Sequence, residues 1–324
     1  MDLEFVNQWF RNGFVATYVA TFFLACSQSA EEAGKGDPMV SAGDSGKLQV
    51  TATVNMVSDL VRQVGGDHVE VTEIMGPGVD PHLYKASAND VTKLQNAEII
   101  FYVGLLLEGK MEEVLGKLKD GGKPVYAVTQ DLQKTKLLDS DEYEDHFDPH
   151  VWFEVPLWKE TIDVVVAGLS NVDSDHKADY EANGKAAKEK MEDLQKWVTG
   201  KVNELPVEKR LLVTSHDAYN YLGRAYGFKV VGLQGISTVS EAGLADRTKL
   251  VDFIKEQKVK SIFVETTVNP DAIKAIATDA KVTIGGELFS DAMGELGQME
   301  GGLDLGTYEG MIKHNISTIV NALR

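Results

Sequence analysis

Apolar positions along this chain keep changing period. Strand-length apolar runs at 48–53 (LQVTAT), 69–75 (VEVTEIM), 98–103 (EIIFYV) and 124–128 (PVYAV) alternate with helical spacing near 56–64, 87–96 and 108–118. A second series follows: runs at 210–214, 229–233, 261–265 and 281–285, with helical patterns near 217–226, 243–257, 270–279 and 306–323. Strands alternating with helices predict parallel sheets covered by helices, so the fold class is α/β. The pattern predicts two (β/α)4-type lobes.

Between the two series the pattern is helical throughout. A short helix is expected over 156–170. From Asp173 to Leu205, Ala, Glu, Lys and Leu dominate, with Gly184 and Gly200 as weak breakers. At about 1.5 Å per residue such a helix runs about 45 Å, enough to join two lobes rigidly. The alternative is two helices broken at Gly184. The expected division is 1–26 leader, 27–47 tether, 48–172 first lobe, 173–205 linking helix and 206–324 second lobe.

Composition leaves the globular class unchanged, with 43% apolar and 25% charged residues in 324. A net charge of -18 argues against a nucleic-acid partner, which needs a basic face. It also biases the surroundings towards cations, although acidic surfaces are common for solubility alone.

The N-terminus has its own logic. Phe14 to Ala25 is an uncharged apolar stretch, too short to span a bilayer and of signal-peptide length. It ends Phe23-Leu24-Ala25-Cys26, which resembles a bacterial lipoprotein processing site, with Leu one place later than usual. Cys26 is the sole cysteine, so no intrachain disulfide forms, and a lipid attachment point is the better account of it. Residues 27–47 are rich in Ser, Gly, Ala and charge, the composition of a flexible tether. Leader, lipidated Cys and tether describe a monomer held outside a bacterial membrane by a lipid anchor.

The chemistry gathers around a repeated pattern. Asp80-Pro81-His82-Leu83-Tyr84 and Asp148-Pro149-His150-Val151-Trp152 each read Asp-Pro-His, aliphatic, aromatic. Proline fixes its own φ and pushes its predecessor towards extended geometry, so each copy is a stiff turn aiming one imidazole. Imidazole is the commonest metal ligand. A third histidine, His216, follows strand 210–214 in Thr214-Ser215-His216-Asp217, outside the carboxyl end of a strand, where open α/β sheets bind ligands. Consecutive Ser215, His216 and Asp217 cannot converge as a hydrolase triad. Two carboxylates compete to complete the set: Glu265, ending strand 261–265, and Asp291, in a glycine-bounded loop after 281–285. His146 lies in the acidic stretch 139–148 (DSDEYEDHFD), a candidate extra ligand or simply part of a solvated loop. His68, His176 and His314 read as surface residues, and Trp152, Trp158 and Trp197 as packing that seats the long helix.

DPHLY, DPHVWF, TSHDAYNYLGRAYG, GISTVSEAG, FVET and GELFSDAMG occur in that order from about Leu48 to the C-terminus. Together they resemble the metal-binding solute-binding proteins of bacterial ABC transporters, which capture manganese, zinc or iron outside the membrane. The resemblance implies two lobes, a rigid linking helix and a metal in the cleft. It implies His82, His150, His216 and Asp291 as ligands, with Glu265 orienting a ligand His or serving as the alternative carboxylate. The implied partner is a membrane permease, and the implied cargo is Mn²⁺ or Zn²⁺, with Fe²⁺ as a third option. Zinc-specific members often carry a long His-rich loop before the second Asp-Pro-His, and this chain has a short acidic one. Manganese often accompanies Glu at the third ligand position, where this chain has His216. The two signs oppose each other.

Two classes of function fit the cluster. A transport receptor needs four protein ligands that close the site. A zinc hydrolase using the three His, with Glu265 or Asp291 as base, needs an open position for water. The chain has no Arg clamp or Gly-rich phosphate loop, so the receptor, a non-enzyme, is the expectation.

Overall fold

The computed structural model describes residues 46–140 and 144–324. The leader, Cys26, nearly all of the tether and residues 141–143 of the acidic loop lie outside the described residues.

The first series folds as β1 (Leu48–Val54), α1 (Asn55–Gly65), β2 (Val69–Met75), α2 (Ala88–Asn96), β3 (Ile99–Tyr102), α3 (Met111–Asp120) and β4 (Val125–Ala127). The strands form one parallel sheet in the order β2-β1-β3-β4. β1 is central and buried on both faces: its sequence alternates apolar with polar residues, yet Thr51 and Thr53 are buried as fully as Val50 and Ala52. α2 starts where Ser87 and Asp90 cap each other reciprocally.

The expected helix over 156–170 is two, α4 (Val155–Glu160) and α5 (Ile162–Val172). The break falls at Thr161, whose hydroxyl donates back to the Trp158 carbonyl at 2.7 Å, a bond that competes with the helical ladder. The linking helix α6 (Lys177–Val202) is shorter than 173–205, because a tight turn at Ser174–His176 precedes it. It still extends for about 39 Å at the usual rise per residue. Its buried stripe is Tyr180, Gly184, Ala187, Met191, Leu194, Val198 and Val202. Gly184 does not break it. A Cβ there would sit 2.5 Å from Val166 Cγ2, so glycine is what lets α6 press onto α5.

The second series is β5 (Leu211–Thr214), α7 (Asn220–Tyr226), β6 (Lys229–Gly232), α8 (Leu244–Gln257), β7 (Ser261–Glu265), α9 (Asp271–Ala280), β8 (Thr283–Leu288), the short hairpin β9 (Met299–Glu300) and β10 (Leu303–Asp304), and α10 (Tyr308–Leu323). β5 pairs with β6 and β7 with β8, all parallel, and β5 lies against β7. The expected strand 281–285 starts later and runs to Leu288. Its register with β7 shifts between Ile262 and Phe263, opposite Gly285-Gly286. The hairpin is too short to leave an alternating pattern in the sequence.

The apolar core does not stop at the linking helix. One cluster runs from the first sheet through α6 into α10, and a smaller one lies among β5, β7, α8 and α9 around Ile254, Ile262 and Ile273. A helix packed along its whole length this way is a strut rather than a tether.

Candidate metal centre

Each predicted ligand sits just past a strand or turn that fixes its backbone. His82 lies in the turn after β2, and its N–H donates to Asp80 Oδ1 at 2.9 Å. His150 repeats this with Asp148 Oδ1, also at 2.9 Å. His216 follows β5. Its N–H and that of Ser215 both donate to Glu265 Oε1, at 2.9 and 2.7 Å. Gly232 backs this turn: a Cβ there would lie 2.7 Å from the His216 carbonyl carbon, so no larger residue fits.

Asp291 sits in the loop after β8, and that loop is gripped from two sides. Asn315 on α10 donates to the Phe289 carbonyl at 2.7 Å and accepts from its N–H at 3.0 Å. Asn55, at the start of α1, donates to the Met293 carbonyl at 3.1 Å and accepts from its N–H at 2.9 Å. The Trp152 indole donates to the Ser290 carbonyl at 3.0 Å. Trp152 is therefore more than the packing residue expected of it. Trp158 is buried against Trp152 and Tyr308. Nothing in the apolar pattern marks Asn55 or Asn315. Each is one polar residue whose role appears only when a distant loop arrives.

The structure brings His82, His150, His216 and Asp291 together, with one ligand atom of each within 4.8 Å of all the others. Three Nε2 atoms face the Asp291 carboxylate. His150 Nε2 is 3.3 Å from Oδ1, His216 Nε2 is 3.2 Å from Oδ2, and His82 Nε2 is 3.9 Å from Oδ2. His82 and His150 approach each other Nε2 to Nε2 at 3.4 Å. His82 is 6% exposed and the other three are fully buried. No hydrogen bond of good geometry satisfies either oxygen of Asp291, nor His216 Nε2. Buried polar atoms are ordinarily satisfied, and a carboxylate facing three imidazoles is a donor set for a cation.

The outward nitrogens are held as metal-ligating histidines usually are. Asp148 Oδ1 is 2.7 Å from His150 Nδ1, and Glu265 Oε2 is 2.5 Å from His216 Nδ1. Glu265 Oε1 is taken by the two backbone N–H groups of the His216 turn, Oε2 faces the outward His216 Nδ1, and Glu265 stands outside the four-residue group.

Electrostatics splits the three imidazoles. Burial pushes His82 down to about 3, with the neighbouring imidazoles reinforcing it against Asp291. Burial also opposes charge on His150, but Asp148 and Asp291 outweigh it and raise His150 to about 9. For His216 burial is likewise overcome, by Glu265 and Asp291, and its pKa lies well above the ordinary value. Burial works against the Asp291 carboxylate, yet His216 and His150 hold it well below the usual range. Without a cation, the Asp291 charge thus favours the protonated form of its imidazole neighbours His150 and His216.

The remaining histidines are elsewhere. His146 is exposed, its Nδ1 is 2.7 Å from the Glu144 carbonyl, and it lines an apolar mouth beside His82. His68 and His176 lie at the surface, each partly covered. Their rings stack at 3.9 Å, with His68 on Asp179 and His176 on Asp173. His314 is half-buried against Phe289, and its Nε2 meets the Glu287 carbonyl at 3.1 Å. Stacking and helix packing cover one face of each ring, which sequence position alone does not show.

The family described as zinc-uptake complex component A, periplasmic, matches residues 50–322. The manganese-binding lipoprotein MntA of Bacillus subtilis is 44% identical over 319 residues, 97% of this chain and all of that protein. The zinc-binding protein TroA of Treponema pallidum is 44% identical over 287 residues, 87% of this chain and 91% of that protein. The solved structure of the periplasmic zinc-binding TroA superposes with a TM-score of 0.81 at 42% identity, over 86% of this chain and 99% of that one. The chain belongs to the zinc-uptake complex component A family, the solute-binding proteins, not enzymes, that serve ABC metal transporters.

Proposed function

We propose that this protein binds one divalent transition-metal ion through His82 Nε2, His150 Nε2, His216 Nε2 and the Asp291 carboxylate, and surrenders it to a membrane permease. The observation that carries this reading is the convergence of three buried Nε2 atoms on a carboxylate whose oxygens lack other partners. The four residues come from the expected first lobe (48–172) and second lobe (206–324), two from each, so binding ties the lobes together across the linking segment 173–205. A hydrolase needs a coordination position open to water and a path for substrate. Burial of three of the four groups to zero exposure supports a closed carrier site instead.

Mn²⁺ and Zn²⁺ are the cargoes this donor set suits. With one Asp291 oxygen engaged, the four ligands match tetrahedral Zn²⁺. Both oxygens face imidazoles at similar distances, and with both engaged the five donor atoms suit Mn²⁺ or Fe²⁺. Affinity rises from Mn²⁺ to Zn²⁺ on any such site, so zinc binds more tightly and supply decides the load. Relatives named for manganese and for zinc at the same identity accord with a site that accepts both.

No helix among the described residues is long and apolar enough to cross a membrane. Cys26, as the lipid attachment point, would hold the protein on the outer face of a bacterial membrane as a monomer, within reach of its permease.

The test is a titration of metal-stripped protein with Mn²⁺, Zn²⁺ and Fe²⁺, alongside His150→Ala and Asp291→Ala. One tight equivalent, lost in both variants, is expected. Tight binding that survives Asp291→Ala and fails in Glu265→Ala would move the carboxylate ligand, and no binding at all would end the receptor reading.

A further inference from the structure

The four ligands are not equally fixed. His150, His216 and Asp291 sit on a seam where first- and second-lobe segments are bonded repeatedly. The Trp152 indole donates to the Ser290 carbonyl, the Tyr221 hydroxyl to the Asp148 carbonyl at 2.9 Å, and Asn55 clamps Met293. His82 stands apart. It is the only ligand of the four with any exposure, and no carboxylate among the described residues holds its Nδ1.

The turn that carries it reaches the opposite lobe through its aspartate. Asp80 Oδ1 accepts the His82 N–H, and Oδ2 accepts the Thr238 hydroxyl at 2.6 Å. Thr238 lies in the loop between β6 and α8 and is itself buried. One carboxylate thus ties the ligand's backbone to the far side of the cleft. Space lies on both sides of this tie. A cavity of about 370 Å³ is lined by Asp80, Leu83 and Thr238, and another of about 230 Å³ by His82, Ile236 and Val239. Leu83, next in the turn, is 52% exposed. The turn has room to move once the tie is broken, whereas the seam has none.

Resting on the metal-carrier reading above, we infer that the Asp80–Thr238 hydrogen bond is a latch that holds His82 over a preassembled cup of His150, His216 and Asp291, and that its opening sets how fast the cation leaves. Asp80 and Thr238 are positioning residues: they act on the metal through the His82 turn and do not touch it. The latch predicts an effect on release more than on capture, because the three-ligand cup receives the ion whether or not the latch is closed.

The experiment measures Zn²⁺ release into excess chelator by stopped flow for wild type, Thr238→Val, Thr238→Ser and Asp80→Asn. The visible spectrum of each Co²⁺-loaded form reports the ligand set. Loss of a hydrogen bond to a charged group is expected to speed release about tenfold or more in Thr238→Val. Thr238→Ser keeps the hydroxyl and should restore release to within about twofold of wild type, the scatter of a near-neutral change. Asp80→Asn should also speed release, and the Co²⁺ spectra should coincide, since the ligands are unchanged. Release from both Thr238→Val and Asp80→Asn at the wild-type rate overturns the latch. So does equal acceleration in Thr238→Val and Thr238→Ser, which would point to packing. Wild-type protein that takes up no Zn²⁺ overturns the carrier reading itself, a separate failure.

Discussion

In both Asp-Pro-His turns the aspartate accepts the backbone N–H of the histidine two residues on, at 2.9 Å in each. There the likeness ends. Asp148 uses the same oxygen to grip His150 Nδ1, and its other oxygen lies 3.3 Å from Asn220 Nδ2, with Asp148 and His150 both buried. Asp80 leaves its ring alone and reaches Thr238. The first arrangement charges and fixes an imidazole, and the second leaves it neutral and hinged. One pentapeptide pattern thus yields two kinds of ligand, because its aspartate has two oxygens and the surroundings decide where the second bond goes.

Removing each ring should break the comparison most forcefully. His150→Ala deletes a member of the buried cup and leaves Asp148 and Asp291 without their imidazole. Calorimetric titration should show affinity falling by more than the about 10–100-fold that loss of an orienting partner costs, since a ligand itself is lost. His82→Ala leaves the cup intact and should cost clearly less. Equal losses would mean that the four ligands act as one unit.

The next contrast is between the aspartates. Asp148→Asn should weaken metal binding by about 10–100-fold, the usual effect of losing the partner that orients a ligand histidine. The loss should persist at equilibrium, whereas Asp80→Asn should act mainly on release.

Protonation sharpens the contrast further. In the metal-free protein His150, raised to about 9, is charged at neutral pH, while His82, held down to about 3, is neutral. A raised folded-state pKa contributes stability that is fully present below the unfolded value of about 6.5 and is lost as pH rises through about 9. Metal needs the imidazole neutral, so the cation competes with that proton. Affinity and the metal-induced rise in Tm should both grow from pH 6 to pH 9, with protons released on binding. A Tm rise independent of pH over that window would contradict the assignment of charge to His150.

The smallest effect is a control outside both turns. Gly184→Ala places a Cβ against Val166 and should cost stability by about 1–3 kcal/mol, the range for overpacking. Metal affinity should stay within about twofold, because α6 carries no ligand. A large loss of affinity would show that the strut's fit to α5 is transmitted to the site.

Much of this was legible in the sequence because its signals are local. Alternating strand and helix periods placed the eight parallel strands β1 to β8, and proline-fixed turns marked His82 and His150. The carboxylate was not legible from the residues alone. Glu265 and Asp291 both follow strands, and only the geometry shows Glu265 occupied with the His216 turn. Nor were Asn55, Asn315 and Thr238, whose partners lie far away in sequence: Asn55 meets Met293, 238 positions on. Thr161 split an expected helix by one side-chain bond that no apolar period records. His68 and His176 formed a stacked pair because tertiary packing brought two turns together.

The central claim is that three imidazoles and the Asp291 carboxylate surround one ion. X-ray absorption at the zinc edge of the Zn²⁺-loaded protein tests it most directly. The account predicts three imidazole nitrogens at about 2.0–2.1 Å and carboxylate oxygen at about 2.0–2.2 Å, falling to two imidazoles in His82→Ala. A first shell with two or fewer imidazoles in the wild type would contradict it.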